Sequence, residues 1–146
     1  MSKTNSLENA LLLLIFNNTN IANIGDATGL RGSSTAGSLY LSLHTADPGE
    51  AGNQTTSECN YTSYARVALA RSGSAWVVTG NSVSPAAVVS FPASTGGSDQ
   101  TATYVGIGTA SSGTGVLLYR GILTPSLAIT TGVTPELGTA SSLSED

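Results

Sequence analysis

The sequence predicts an all-β protein: an antiparallel β-sandwich of the jelly-roll type, with one short N-terminal helix and extended polar arms. Three observations predict this fold. Gly, Ser, Thr, Ala and Val are abundant and only 10% of the residues are charged, which favours strands and turns over helices. Leu39, Leu41 and Leu43 alternate with polar residues, as in a strand with one buried face. Further short apolar segments follow, separated by Gly- and Ser-rich turns, as in a sandwich or barrel.

The chain of 146 residues has the length of one domain. We predict an N-terminal arm and helix over residues 1–20, a β-sandwich domain over 21–133 and a C-terminal arm over 134–146. The last segment is small, polar and acidic, so we expect an arm that is mobile or ordered by a partner.

The N-terminal helix is predicted over residues 7–16, with Ser6 as its N-cap and Glu8 in its first turn, where the helix dipole favours an acid. Apolar residues surround it almost completely, so it must be covered on more than one side. It either closes the end of the sandwich or docks on a neighbouring subunit. The candidate partner contacts on this helix are Leu12, Leu13 and Phe16.

The first strand covers residues 38–44 and is followed by Asp47-Pro48-Gly49, a sequence that favours a tight turn. Later strands are predicted from β-branched and aromatic residues between turn signals. They cover 64–70, 75–79, 86–91, 101–109, 116–123 and 127–131. The strands over 101–109 and 116–123 are expected to form a hairpin, and Gly106 and Gly108 indicate a bulge or a close neighbour.

Charge and apolar patterning exclude several classes of function. Five basic and nine acidic residues give a net charge of -4 without a basic run, so nucleic-acid binding through phosphate contacts is not expected. The apolar run 11–16 is too short to span a membrane, and no signal-peptide cleavage pattern follows it. The single cysteine, Cys59, indicates a free thiol made in a reducing cytoplasm. A surface rich in hydroxyl groups and poor in charge indicates assembly with other subunits.

No catalytic, cofactor or metal site is assigned from the residues. His44 and Asp47 are near each other and serines are plentiful, but the nucleophile motif of a hydrolase is absent, so His44 is expected to hydrogen-bond its own loop. Asp47, Glu50 and Glu58 share one loop; they could gather around Ca²⁺, although solvated acids fit their spacing better. Trp76 is expected in a core or interface, with a sugar-binding surface as the alternative.

Two charged residues complete the predicted partner contacts. Arg66 falls inside a predicted strand, where a charge is either exposed or paired with an acid across the sheet or across a subunit boundary. The boundary is the interpretation we favour. Glu136, in the acidic C-terminal arm, is the other candidate contact.

Several of these segments together resemble a family of small tailed-bacteriophage virion proteins, often labelled tail fibre proteins. The segments that carry the resemblance are the apolar helix, the strand and turn over 39–50, and residues 64–67, 89–92, 105–113 and 116–121. The resemblance implies a structural role in the virion without catalysis or cofactor, and synthesis in the bacterial cytoplasm.

Three functions are carried forward. The first is a capsid decoration, or cement, protein on the capsid surface, with the major capsid protein and copies of itself as partners, in a dimer or trimer. The polar arms could lie across a neighbour as added strands. The second is a tail fibre or tail adaptor module. The third is a carbohydrate-binding or carbohydrate-active protein that uses the loop acids and Trp76.

Overall fold

The computed structural model describes residues 2–145, so the two ends of the predicted arms, Met1 and Asp146, lie outside the described residues. The structure has one helix, α1 (Asn5–Asn17), and nine strands in the described part of the chain. The strands are β1 (Ser38–His44), β2 (Val67–Ala70), β3 (Trp76–Thr79), β4 (Ser82–Pro85), β5 (Val89–Ser90), β6 (Gln100–Gly108), β7 (Leu117–Ile129), β8 (Glu136–Leu137) and β9 (Leu143–Ser144).

The strands form three sheets. The largest has the order β2-β1-β6-β7, the second has the order β3-β4-β9, and β5 pairs with β8. The pairs β1–β6, β6–β7, β3–β4, β4–β9 and β5–β8 are all antiparallel. The predicted all-β fold of antiparallel sheets with one short N-terminal helix is confirmed.

The described chain forms two compact units. Unit 1 contains the residues up to 38, residues 69–88 and the residues from 138 onward, whereas unit 2 contains residues 39–68 and 89–137. The division into an arm over 1–20, a domain over 21–133 and an arm over 134–146 stays a prediction.

Helix α1 contributes two side chains to the core of unit 1. Leu12 and Phe16 are both 0% exposed, and the Phe16 ring meets the Trp76 ring edge to face, with 4.8 Å between the centroids. The expectation that Trp76 is a core residue is therefore confirmed. The expectation that Ser6 caps the helix is wrong, because the carbonyl of Thr4 accepts the first helical hydrogen bonds and Thr4 itself takes the cap position.

An arginine from another segment of unit 1 binds the carbonyl groups at the C-terminal end of α1. Arg71 donates from Nε to the carbonyl of Ile15 and from Nη2 to the carbonyl of Leu14, both at 2.6 Å. Its Nη1 donates to the carbonyl of Ala36 at 3.1 Å. The last turn of α1 has no basic residue of its own, so Arg71 supplies the positive charge that a helix C-terminus favours.

Replacing Arg71 by alanine is expected to lower the free energy of unfolding by about 2 kcal/mol, because several carbonyls lose a charged donor. Arg71→Lys is expected to recover only part of the loss, since an ammonium group does not reproduce the planar fork of donors. Urea denaturation followed by Trp76 fluorescence measures the effect in the same unit. The control is Arg31→Ala, at an exposed arginine of unit 1; an equal loss in both variants would contradict this role for Arg71.

The middle of the chain differs from the prediction. The strand expected over 86–91 is reduced to β5, whereas β4 lies before it and was not predicted. Gly80 and Asn81 were expected only to end a strand. Thr79 pairs with Ser82, so Gly80 and Asn81 form the turn of a hairpin, with Gly80 at φ +61°. Positive φ at this position is what such a turn requires.

The predicted hairpin of the largest sheet is confirmed as β6 and β7. The two last predicted strands, over 116–123 and 127–131, are one long strand, β7. The register shifts once between Ile107 and Gly108, where a bulge was expected, and again between Ala102 and Tyr104. At the second shift, residues 123–126 of β7 lie outside the regular ladder.

The C-terminal segment over 134–146 contains two short strands in its described part. β8 pairs with β5 in unit 2, and β9 pairs with β4 in unit 1. Glu136 is opposite Ser90 and accepts a hydrogen bond from its hydroxyl at 2.8 Å. Strands of two residues lack the length for an alternating pattern, which is why the sequence did not indicate them.

Candidate functional site

The candidate site is a cluster of polar side chains in unit 2 where the long loop over residues 45–63 returns to the end of β1. The loop is fastened by backbone hydrogen bonds from Cys59 N–H to the carbonyl of Leu43 and from Thr45 N–H to the carbonyl of Ser57, both at 2.8 Å. The predicted turn at its start is confirmed, since Gly49 adopts φ +71° and donates its N–H to the carboxylate of Asp47 at 2.8 Å.

His44 lies at the centre of this polar cluster. Its Nε2 is 2.8 Å from the hydroxyl oxygen of Ser42, and its Nδ1 is 2.8 Å from the carbonyl oxygen of Thr56. The carbonyl accepts, so Nδ1 carries the proton and Nε2 accepts from Ser42. The expectation that His44 hydrogen-bonds its own loop is confirmed. Gly106 of β6 makes room for both side chains, because a methyl group there would lie 2.6 Å from His44 Nε2.

The Ser42–His44 pair resembles two members of a hydrolase triad, but its surroundings do not support that chemistry. A carbonyl of Thr56, not a carboxylate, holds the far side of the ring, and both side chains are 0% exposed. The carboxylate of Asp47 instead bonds to Arg120, at 2.7 and 2.9 Å. A nucleophile must reach its substrate, so the arrangement serves to hold the loop rather than to react.

The stability of the protein is expected to fall as the pH drops below about 6.5, the pKa of histidine in an unfolded chain. Burial is the largest cause that lowers the pKa of His44 in the fold; Thr56 and Glu58 oppose it, and Arg66 adds to it. The unfolded chain therefore binds a proton that the folded chain does not. The contribution of neutral His44 to the free energy of unfolding is complete above the pKa of histidine in the unfolded chain. It is lost as the pH falls toward the lower pKa in the folded chain, by at most about 1.4 kcal/mol per pH unit.

Urea denaturation between about pH 7.5 and about pH 5 measures this dependence. His44→Gln removes the only histidine and should flatten the curve over that range, whatever its cost in stability at pH 7.5. The same slope in the variant and in the wild type would contradict the role of His44.

Gln54 fills the space over two glycines next to the cluster. Its side chain is 0% exposed, and its Oε1 accepts from the N–H of Ala110 at 2.9 Å. The backbone N–H of Gln54 donates to the carbonyl of Thr114 at 3.0 Å. A methyl group at Gly108 or at Gly115 would collide with this side chain. Gln54 thereby attaches the loop to the β6–β7 turn.

Arg66 forms four hydrogen bonds in the cluster. Its Nε and Nη2 donate to the two carboxylate oxygens of Glu58, at 2.7 and 2.8 Å. Nη1 donates to the carbonyl of Ala110 at 2.9 Å, and Nη2 also donates to the carbonyl of Gly113 at 2.7 Å. The side chain of Arg66 is only 3% exposed. One guanidinium group therefore joins the loop to the β6–β7 turn, a geometry that suits its planar fork of donors.

The electrostatics of the cluster follow from burial and from Glu58. The hydrogen bond to Glu58 is the main cause that raises the pKa of Arg66. Tyr64 donates its hydroxyl to Glu58 at 2.9 Å, and burial is the main cause that raises the pKa of this phenol well above its usual range. Burial likewise raises the pKa of the Cys59 thiol to about 11, so at neutral pH the thiol is protonated and a poor nucleophile.

The residues predicted to contact a partner are placed as follows. Leu12 and Phe16 are in the core of unit 1, while Leu13 is half-buried on the same helix. Arg66 precedes β2 and finds its acid, Glu58, in its own chain rather than across a subunit boundary. Glu136 is exposed on β8. Contact of these residues with a partner stays a prediction.

The loop acids are not arranged around a common point. Asp47 binds Arg120 and Glu58 binds Arg66, so the expectation of a solvated acid is wrong for Glu58; Glu50 is exposed. Within residues 2–145, no group of three or more His, Cys, Asp or Glu side chains could hold a metal ion. Over the same range, no helix is both long and apolar enough to cross a membrane.

Gln54, Tyr64 and the carbonyls of the β6–β7 turn were missed by sequence reasoning. The available signal was the unusual pair Gly106 and Gly108 in a strand, which indicated a close neighbour but not its identity. The described residues thus form an antiparallel β-protein in which the side chains of the cluster bond within the chain.

The comparison with known families agrees with that class. The chain belongs to the family described as Podophage GP4 fiber I protein gp80, whose model matches residues 2–143. This is a family of phage structural proteins, so the resemblance to small tailed-phage virion proteins is confirmed. No curated protein matches the chain.

Proposed function

We propose that the protein is a structural subunit of a tail fibre in a podophage virion. The match of residues 2–143 to a family described as a fibre protein carries the proposal. The cluster in unit 2 supports it, because the long loop over 45–63 is tied to β1 through Thr56 and Cys59 and to the β6–β7 turn through Gln54. Such a loop adds rigidity to a scaffold, which a fibre needs.

Capsid decoration, the first function expected from the sequence, remains the second candidate. The low charge and the hydroxyl-rich composition suit a subunit packed against others in either place. The family description names a fibre, which favours the tail over the capsid surface. The major capsid protein is accordingly the expected partner only for the second candidate.

Copy number by position tests the proposal. Heads and tails of the purified particle are separated, and the protein is quantified in each fraction by mass spectrometry against the major capsid protein as the head marker. A tail fibre subunit is expected in the tail fraction and in far fewer copies than the capsid protein. Recovery with the heads, in numbers comparable to the capsid protein, would overturn the proposal and establish decoration.

Gold labelling can locate the protein on the intact particle. Ser98→Cys introduces a thiol in an exposed loop, whereas the native Cys59 is buried. Maleimide-coated gold should therefore label the tails of the variant phage above the level found on the wild-type phage, which serves as the control for thiols of other virion proteins. Gold distributed over the heads would contradict the fibre proposal.

A further inference from the structure

The last described segment of the chain, residues 138–145, is held to the rest of unit 1 by a two-residue strand and a few polar contacts; we call it the C-terminal strap. Residues 138–142 are all exposed, and Ser141 N–H donates to the carbonyl of Gly138 within the strap itself. The two residues of β9 then pair with β4. Segments with so little buried surface are the ones that open separately from the unit around them.

Polar contacts fix the end of the strap. Glu145 donates its N–H to the carbonyl of Asn81 at 2.8 Å, and the side-chain amide of Asn81 donates to the carbonyl of Glu145 at 3.1 Å. The carboxylate of Glu145 lies 3.4 Å from Lys3 Nζ, and the two side chains are 18% and 32% exposed. An ion pair in contact with water stabilises a contact by less than about 1 kcal/mol. The strap is therefore held in a defined position, but weakly.

The edge that the strap covers is built from other parts of unit 1. All four residues of β4 pair with β3. The carbonyl of Gly80, in the turn between these strands, accepts a hydrogen bond from the side chain of Asn9 on α1 at 2.7 Å. The outer edge of β4 is thus a preorganised row of backbone groups, which is what the addition of a strand requires.

The register of β9 identifies the kind of segment that this edge binds. Leu143 is opposite Val83, and side chains opposite each other lie on the same face of a sheet. Val83 is 2% exposed in this arrangement, so an incoming strand needs an apolar side chain at the position of Leu143 to keep it covered. Two residues further along, Lys3 favours an acid. In the described ladder β9 leaves Ser84 unmatched, so a longer strand gains a pair that the strap does not make.

We infer that the outer edge of β4 is a binding site for an extended acidic segment of a partner protein, and that the C-terminal strap occupies this site in the free chain. The partner segment carries an apolar residue opposite Val83 and a carboxylate near Lys3. Because the strap belongs to the same chain, it acts at an effective concentration on the order of 1 mM, and the partner must compete with it. The edge stays closed until a partner presents a matching segment at a comparable local concentration, wherever in the virion the protein lies.

Hydrogen exchange of the full chain tests whether the strap opens separately. The protection factor of the Glu145 amide is expected to be at least about tenfold lower than that of the Ala86 amide. Ala86 is the reference because it follows β4 in the same unit and donates to the carbonyl of Ala75 at 2.9 Å. Equal protection of the two amides would overturn the inference. A protection of Glu145 that changes with the chain concentration would assign the edge to a second copy and would overturn it as well.

Peptide binding tests the acceptor edge. The probe is a peptide with the sequence of residues 138–145 and blocked ends, titrated to a few mM because a short strand binds weakly. Glu145→Lys weakens the strap without changing β4, so this chain should bind the peptide roughly threefold more tightly than the wild type, with NMR shifts at the amides of residues 81–83. Glu50→Lys makes the same charge change at an exposed acid of unit 2 and should bind as the wild type does. The peptide with aspartate in place of its leucine should not bind.

Exchange of the charges locates the bound peptide. Lys3→Glu also weakens the strap, but its edge now repels an acid. This chain should prefer the peptide with lysine in place of its glutamate, whereas the Glu145→Lys chain should prefer the original peptide. Both residues are partly exposed, and the amide spectrum of each variant shows that the fold is kept. A preference that does not reverse, or an absence of binding to both variants, would overturn the inference. The purified chain is used throughout, so a failure of the fibre proposal leaves these results unchanged.

Discussion

Arg66→Ala is expected to lower the free energy of unfolding by about 4 kcal/mol, the largest effect of a single side chain that we predict. The variant leaves the carboxylate of Glu58, which is 16% exposed, without its cation, and it leaves the carbonyls of Ala110 and Gly113 without their donor. Urea denaturation followed by circular dichroism measures the loss. The reactivity of the buried Cys59 thiol reports the opening of unit 2 separately, because Cys59 is the only cysteine.

Asp47 and Arg120 provide the matched control for Arg66. They form the same type of ion pair in the same unit, but they are far more exposed, so Arg120→Ala should cost less than about 1 kcal/mol. Arg66→Lys should remain well below the wild type, since one ammonium group does not serve a carboxylate and two carbonyls together. Equal losses for Arg66→Ala and Arg120→Ala would show that burial does not determine the effect.

Gly106→Ala is expected to cost about 3 kcal/mol, because the new methyl group overpacks a buried site and disturbs a buried hydrogen bond. It would lie within 2.7 Å of His44 Nε2, Ser42 Oγ and a side-chain carbon of Leu117, which is closer than such atoms approach. Thermal unfolding should show a drop in the melting temperature of about 10 °C for a chain of this size.

Gly121→Ala controls for the general effect of removing a glycine from this sheet. Gly121 is on β7, opposite Val105, and a methyl group there meets only a side-chain carbon of Val105 at 4.0 Å. Its effect should lie within about 0.5 kcal/mol of zero. Combining Gly106→Ala with Ser42→Ala should cost less than the sum of the two changes, since the second removes one of the atoms in the collision. A strictly additive double variant would count against the clash.

The elements with strong local signals could be predicted from the sequence. β1 was found with its observed bounds, because three leucines alternate with polar residues and a Pro-Gly turn follows. The β6–β7 hairpin was found because two β-branched segments flank a glycine-rich turn. In both cases neighbouring residues alone decide the conformation.

The candidate site could be predicted only in part. The role of His44 was anticipated, since a histidine at a strand end commonly bonds to the adjacent loop. The partners of Arg66 and Gln54 were not, because Ala110 and Thr114 are distant in the sequence and contribute backbone atoms, which carry no residue-specific signal. Arg71 at the end of α1 was missed for the same reason.

The pairing of β1 also determines when the protein can fold. Leu41 and Leu43 of β1 pair with Ile107 and Val105 of β6, so the strand is synthesised long before its partner leaves the ribosome. Because a ribosome adds about 5–20 residues per second, an apolar strand with an open edge persists for several seconds on the nascent chain. Closing so long a loop is also slow. Truncated products that end before residue 104 therefore leave open the edge of β1 that β6 covers in the complete sheet. An open apolar edge favours aggregation, and high-level expression will depend on how well the cell shields it.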